Sequence, residues 1–88
     1  MITIKVLGSG CTNCNRLERL ARLALEEVRA EDPSVEAVIE KVTDYERFMD
    51  YGLMVTPGLV INEKLVSAGR LPAPKTIAGW IREALNEN

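Results

Sequence analysis

Two cysteines, Cys11 and Cys14, are the only ones in the 88-residue chain, and histidine is absent. Three residues apart, the pair is a poor structural staple. Closing a four-residue loop removes only about 1.9 kcal/mol of unfolded-chain entropy. Without histidine there is no imidazole base, no Cys–His nucleophile pair and no histidine-ligated metal site. Zinc takes four ligands, and two cysteines supply half of them. The pair is therefore redox chemistry, a partial metal site, or incidental.

The surrounding pattern favours redox chemistry. Ile2, Ile4 and Val6 alternate with Thr3, Lys5 and Leu7, a strand pattern over 2–7. Gly8-Ser9-Gly10 reads as a sharp turn. From Thr12 to about Ala30 the period becomes helical, with Leu17, Leu20, Ala21, Ala24, Leu25 and Val28 on one face. Cys11 thus falls at a helix start, where unpaired amide N–H groups and the helix dipole favour a thiolate. Arg16 adds positive charge in the next turn. Cys14, one turn in, is expected to be the less exposed. That asymmetry assigns Cys11 as the attacking thiol and Cys14 as the resolving one. Arg16, Arg19 and Arg22 read as a solvated face, and Met49 and Met54 as gap-filling core.

The rest of the chain supplies the positioning elements. Residues 35–42 read as a strand. Thr43 and Glu46 form a capping box for a short helix with Tyr45, Phe48 and Met49 as its apolar face, stopped at Gly52. Leu59–Ile61 and Lys64–Ser67 read as a hairpin about Asn62-Glu63. Gly69 marks a bend, and Pro74 opens a last helix carrying Ile77, Trp80, Ile81, Ala84 and Leu85. Trp80 is read as a hydrophobic contact of that helix. The order is β-α-β-α-β-β-α in a single domain over 1–88, with a right-handed first β-α-β unit. The expected fold is α/β, a four-stranded mixed sheet flanked by three helices.

Composition excludes other classes. With 11 basic and 13 acidic residues the net charge is −2, which disfavours a nucleic-acid partner. No apolar run is long enough to span a membrane, and Lys5 interrupts what would be a signal peptide's apolar core. A cytoplasmic monomer is expected.

The motifs Gly8-x-Gly10-Cys11-x-x-Cys14 after a strand, Thr56-Pro57-Gly58 before a strand, and Ser67-Ala68-Gly69-Arg70 after a hairpin resemble the thioredoxin-like superfamily. More narrowly they resemble the small archaeal and bacterial redox-active disulfide proteins, glutaredoxin-sized and lacking thioredoxin's first strand and helix. The resemblance covers essentially the whole chain. It implies a thioredoxin-like fold and a thiol–disulfide oxidoreductase with no cofactor beyond the Cys11–Cys14 dithiol or disulfide. Its partners would be disulfide-containing protein substrates and a reductase or small thiol that recharges it. It implies catalytic roles for Cys11 and Cys14 and substrate contacts from Thr12, Asn13, Thr56 and Pro57, with a cis Thr56–Pro57 bond beside the cysteines. The chain departs from thioredoxins in having Thr12-Asn13 between the cysteines and no acid on strand one. Lys5, near the place of that acid, or water is left to serve the second cysteine. It departs from glutaredoxins in lacking a basic residue just before Cys11. The alternative is a soft-metal carrier, for copper or zinc, using the CxxC. Heavy-metal-associated domains carry a methionine where this chain has Ser9, and end in a strand where this chain ends in a helical pattern. A third reading is a binding adaptor with a vestigial CxxC.

Overall fold

The computed structural model describes residues 1–9, 12–53 and 55–86. The elements run β1 (Ile2–Leu7), α1 (Thr12–Glu31), β2 (Ala37–Val42), α2 (Tyr45–Asp50), β3 (Gly58–Ile61), β4 (Lys64–Ala68) and α3 (Pro74–Asn86). The sheet order is β2-β1-β3-β4. β1 pairs in parallel with β2, Ile2 opposite Ala37 and Leu7 opposite Val42. It pairs antiparallel with β3, Leu7 opposite Gly58 and Ile4 opposite Ile61.

Alternation along β1 divides the core. Ile2, Ile4 and Val6 join Leu59 and Ile61 beneath α1 and α3, where Leu17, Ala21, Ile77 and Ile81 are fully buried. Leu7, Val42, Phe48, Leu53 and Val60 make a smaller cluster beneath α2. A period-2 strand between two covered faces is apolar on both, and β1 has just one polar residue that is buried, Lys5.

The hairpin turn places Asn62 and Glu63 at φ 50° and 68°. Positive φ at both central residues is the twist that suits a two-residue hairpin. Asn62 is pinned to β1: its Oδ1 accepts from the Thr3 amide at 3.0 Å, and its own amide donates to the Thr3 carbonyl at 2.8 Å. Glu63 is held by Lys5 and by the Tyr51 hydroxyl, which donates to it at 2.7 Å.

Several expectations are corrected. β2 begins at Ala37, two residues later than the pattern placed it: the Val35 amide closes the turn on the Asp32 carbonyl, and Glu36 leads into the ladder by accepting from the Ile2 amide. The α2 cap is Asp44, not Thr43: its carboxylate accepts from the Glu46 amide at 2.9 Å. Asp44 directly precedes the first helical residue, the position from which a short oxygen-bearing side chain reaches the second helical amide. α2 buries Phe48 alone, while Tyr45 and Met49 are 68% and 78% exposed. Six residues are under two turns, too few to lay a three-residue stripe on the sheet. Tyr45 instead sits edge-on to Phe48, ring centroids 5.3 Å apart. Met49 is thus not core; Met54 lies outside the described residues. Trp80 is half-buried against the main cluster, as expected.

Candidate functional site

The register brings the site residues to one end of the sheet. β1 ends at Leu7, opposite Gly58, the first residue of β3. Gly8 and Pro57 each lie one residue beyond this pair, so the entry to α1 and the Thr56–Pro57 segment meet at the same edge. The Gly8 amide donates to the Val42 carbonyl at 2.9 Å, tying this end to β2.

Cys14 sits in the first turn of α1 and is 4% exposed. It is in disulfide form. Cys11 and Gly10 lie outside the described residues, so the assignment of Cys11 as attacking thiol rests on sequence alone. Thr12 and Asn13 are exposed on the same turn. No acidic residue occurs in that turn, so nothing there offsets the positive end of the helix.

Gly8 makes Cys14's position possible. A Cβ built on Gly8 would overlap Cys14 Sγ and stand 3.1 Å from Cys14 Cβ. The sequence reading assigned Gly8 to turn flexibility, yet its φ is not in the left-handed region. The requirement is close approach: the buried sulfur packs on bare backbone at the end of β1. The signal was present as a glycine directly after the strand, but composition does not separate a turn glycine from a packing one.

The Thr56–Pro57 bond is cis. Pro57 is buried and Thr56 exposed. The Pro57 carbonyl accepts from the Gly69 amide at 2.7 Å, which locks this segment to the end of β4. Gly69 has φ 69°, and a Cβ there would press on Val55 Cγ1 at 2.7 Å. Sequence reading took Gly69 for a simple bend and missed its bond to Pro57. The Thr56 backbone makes no hydrogen bond to another described residue.

Lys5, offered in sequence as a partner for the second cysteine, is engaged elsewhere. Its ammonium donates to Tyr51 at 2.8 Å and to Glu63, on the α2 side of the sheet and towards the hairpin turn. The Glu63 contact, then Tyr51, raises its pKa. Lys5 and then Tyr51 likewise hold the Glu63 carboxyl below its ordinary value. This triad ties β1, α2 and the hairpin together, and the position near thioredoxin's buried acid is occupied by a structural cation.

Among the described residues no group of three or more histidine, cysteine or acidic side chains is arranged to hold a metal. No helix there is long and apolar enough to cross a membrane.

The thioredoxin-domain family matches residues 2–82. The chain belongs to the thioredoxin family. It is 32% identical over 77 residues to a thioredoxin of Methanothermobacter thermautotrophicus, covering 88% of this chain and 94% of that one. It is 31% identical over 85 residues to a thioredoxin of Methanocaldococcus jannaschii, covering 97% and 92%. The fold is also similar to that of the zinc-bound form of human ERp44, with a TM-score of 0.64 at 17% identity. That likeness covers 93% of this chain and 26% of the other, and bears on fold alone. The four-stranded mixed sheet with three helices is therefore a thioredoxin fold of the archaeal kind. Membership carries a thioredoxin-like oxidoreductase role.

Proposed function

We propose that the protein is a thiol–disulfide oxidoreductase that exchanges disulfides with protein substrates through Cys11 and Cys14. The observation that carries this reading is the burial of Cys14 against Gly8, at the same sheet end as the cis Thr56–Pro57 bond.

The Cys11 thiolate attacks a substrate disulfide. One substrate sulfur leaves as a thiolate and takes a proton, and a mixed disulfide forms. Cys14, deprotonated, then attacks the Cys11 sulfur and displaces the second substrate thiol. Two electrons pass to the substrate, and the pair is left as a disulfide. A reductase or small thiol returns the two electrons. The free Thr56 amide and carbonyl suit an extended substrate backbone, pairing as an added strand does, while exposed Thr12 and Asn13 border it. No cofactor is needed in this cycle.

The test is reduction of insulin and of 2-hydroxyethyl disulfide with dithiothreitol as recharging thiol. Turnover by the native chain is expected. Cys14→Ser should accumulate mixed disulfides with substrate, and Cys11→Ser should be inert. Equal trapping by both variants overturns the assignment of roles. Tight Cu(I) or Zn(II) binding with no turnover overturns the oxidoreductase reading.

A further inference from the structure

Charge is unevenly spread along α1. Anions are favoured at a helix N-terminus and cations at the C-terminus. Here Arg16, Arg19 and Arg22 occupy the first three turns with Glu18 as the lone acid among them, while Glu26, Glu27 and Glu31 lie in the second half with Arg29.

The fold adds to the cationic end. Lys41, on β2, reaches α1: its ammonium lies 3.0 Å from Glu18 Oε1 and donates to Asn15 Oδ1 at 3.3 Å. Arg22 pairs with the other Glu18 oxygen at 2.9 Å. One carboxylate is thereby shared by two cations, and Lys41, then Arg22, holds its pKa below the ordinary value. Arg19 and Arg16 are exposed and have no carboxylate partner among the described residues. Glu40, the next acid along β2, is paired with Arg47 of α2 on the far side of the sheet. Asn15, Glu18, Arg19, Arg22 and Lys41 line an open groove of about 490 Å³. At about 1.5 Å rise per residue, Arg19 is roughly 8 Å along the helix from Cys14 and Arg22 roughly 12 Å. A cationic groove therefore opens along α1, its arginines roughly 8–12 Å from Cys14, in a chain whose net charge is −2.

We propose that the groove formed by Arg19, Arg22 and Lys41 docks a carboxylate-rich surface of the protein whose disulfide exchanges with the Cys11–Cys14 pair. This inference rests on the oxidoreductase reading and names its substrate class: acidic proteins. The groove holds the substrate's Asp and Glu side chains while its disulfide lies at the start of α1. Since most of these cations are solvent-exposed, the effect acts on association rate and fades with salt.

The test uses three probes: a disulfide peptide flanked by Asp and Glu, the same peptide flanked by Lys, and neutral 2-hydroxyethyl disulfide. Single-turnover reduction by the reduced protein is followed from 10 mM to 500 mM NaCl. Electrostatic steering is worth about 10-fold or more in association rate. The acidic peptide should react about 10-fold faster than the basic one at low salt, and the gap should close at high salt. Arg19→Glu combined with Lys41→Gln should abolish the preference while leaving the rate with the neutral disulfide unchanged. Lys64→Glu, at the opposite end of the sheet, makes the same charge change as Arg19→Glu and should keep it. Circular dichroism confirms that each variant is folded. Equal rates for the two peptides, or loss of the preference in Lys64→Glu as well, overturns the docking groove but not the oxidoreductase. Failure to reduce even the neutral disulfide overturns both.

Discussion

Gly8→Ala should cripple the site by steric means alone. Carbon atoms in contact settle at roughly 3.5–4.0 Å. An alanine Cβ would stand 3.1 Å from Cys14 Cβ and overlap Cys14 Sγ. Cys14 has a single side-chain torsion, so there is no distant flexible end to swing aside. Relief must come from an off-rotamer sulfur, at about 0.5–1.5 kcal/mol, and a shift of the first turn of α1, at about 1–3 kcal/mol for an overpacked interior. The expected loss is about 2–3 kcal/mol, or a fall of roughly 10–20 °C in melting temperature for a domain of this size. Disulfide exchange should fall at least tenfold, because the displaced atom is the sulfur to which the proposed cycle gives the resolving step. Gly52→Ala is the control. Gly52 has φ 74° and nothing within 4 Å of a built Cβ, so it should lose about 1 kcal/mol through backbone conformation only and keep its exchange rate. The measurements are calorimetry and single-turnover reduction of 2-hydroxyethyl disulfide. A Gly8→Ala protein that melts within 3 °C of the native one and exchanges at the native rate would refute this account of Gly8.

Gly79→Ala, in the middle of α3 with open space around a built Cβ, should stabilise the protein by about 0.5–1 kcal/mol; an unchanged or lower urea midpoint contradicts this. Asp44→Ala removes the α2 cap and should cost about 1 kcal/mol, with Thr43→Ala nearly silent; the reverse order in urea melts would restore Thr43 as the cap. The Lys5–Glu63 pair predicts a pH dependence. Because the Glu63 pKa is lowered on folding, its stabilisation is present above the ordinary glutamate range and fades as pH falls through the lowered value. Because the Lys5 pKa is raised, its share is present below the ordinary lysine range and lost as pH rises through the raised value. Glu63→Gln should flatten the acid limb of stability against pH in urea melts, leaving the remainder to Glu18 and Asp32, whose pKa values are also lowered. Native and variant limbs of equal slope contradict it.

The sequence by itself determined the periodicities. The alternation of β1, the helical stripe of α1 from Leu17 to Val28, the hairpin about Asn62-Glu63 and the start of α3 at Pro74 all stand where pattern placed them, because each is a local property of side-chain spacing. It also placed Cys14 in the first turn of α1, a short turn after β1. Tertiary structure decided what depends on which elements touch. Glu36 stays outside β2, and α2 buries Phe48 while exposing Met49, because burial is set by the surface a helix meets and not by its own apolar content. Lys5 reads in sequence as a neighbour of the cysteines, yet Tyr51 and Glu63, 46 and 58 residues away, draw its ammonium to the other side of the sheet. Gly8 and Gly69 read as turn residues; only the packed molecule shows one beneath Cys14 and the other bonded to Pro57. Arg19, Arg22 and Lys41 come from an ordinary-looking charged helix and an edge strand, and they become one groove because the parallel register of β1 and β2 brings Lys41 alongside the first turns of α1. Long-range register has no local signature, because any strand partner with the right alternation satisfies the same pattern.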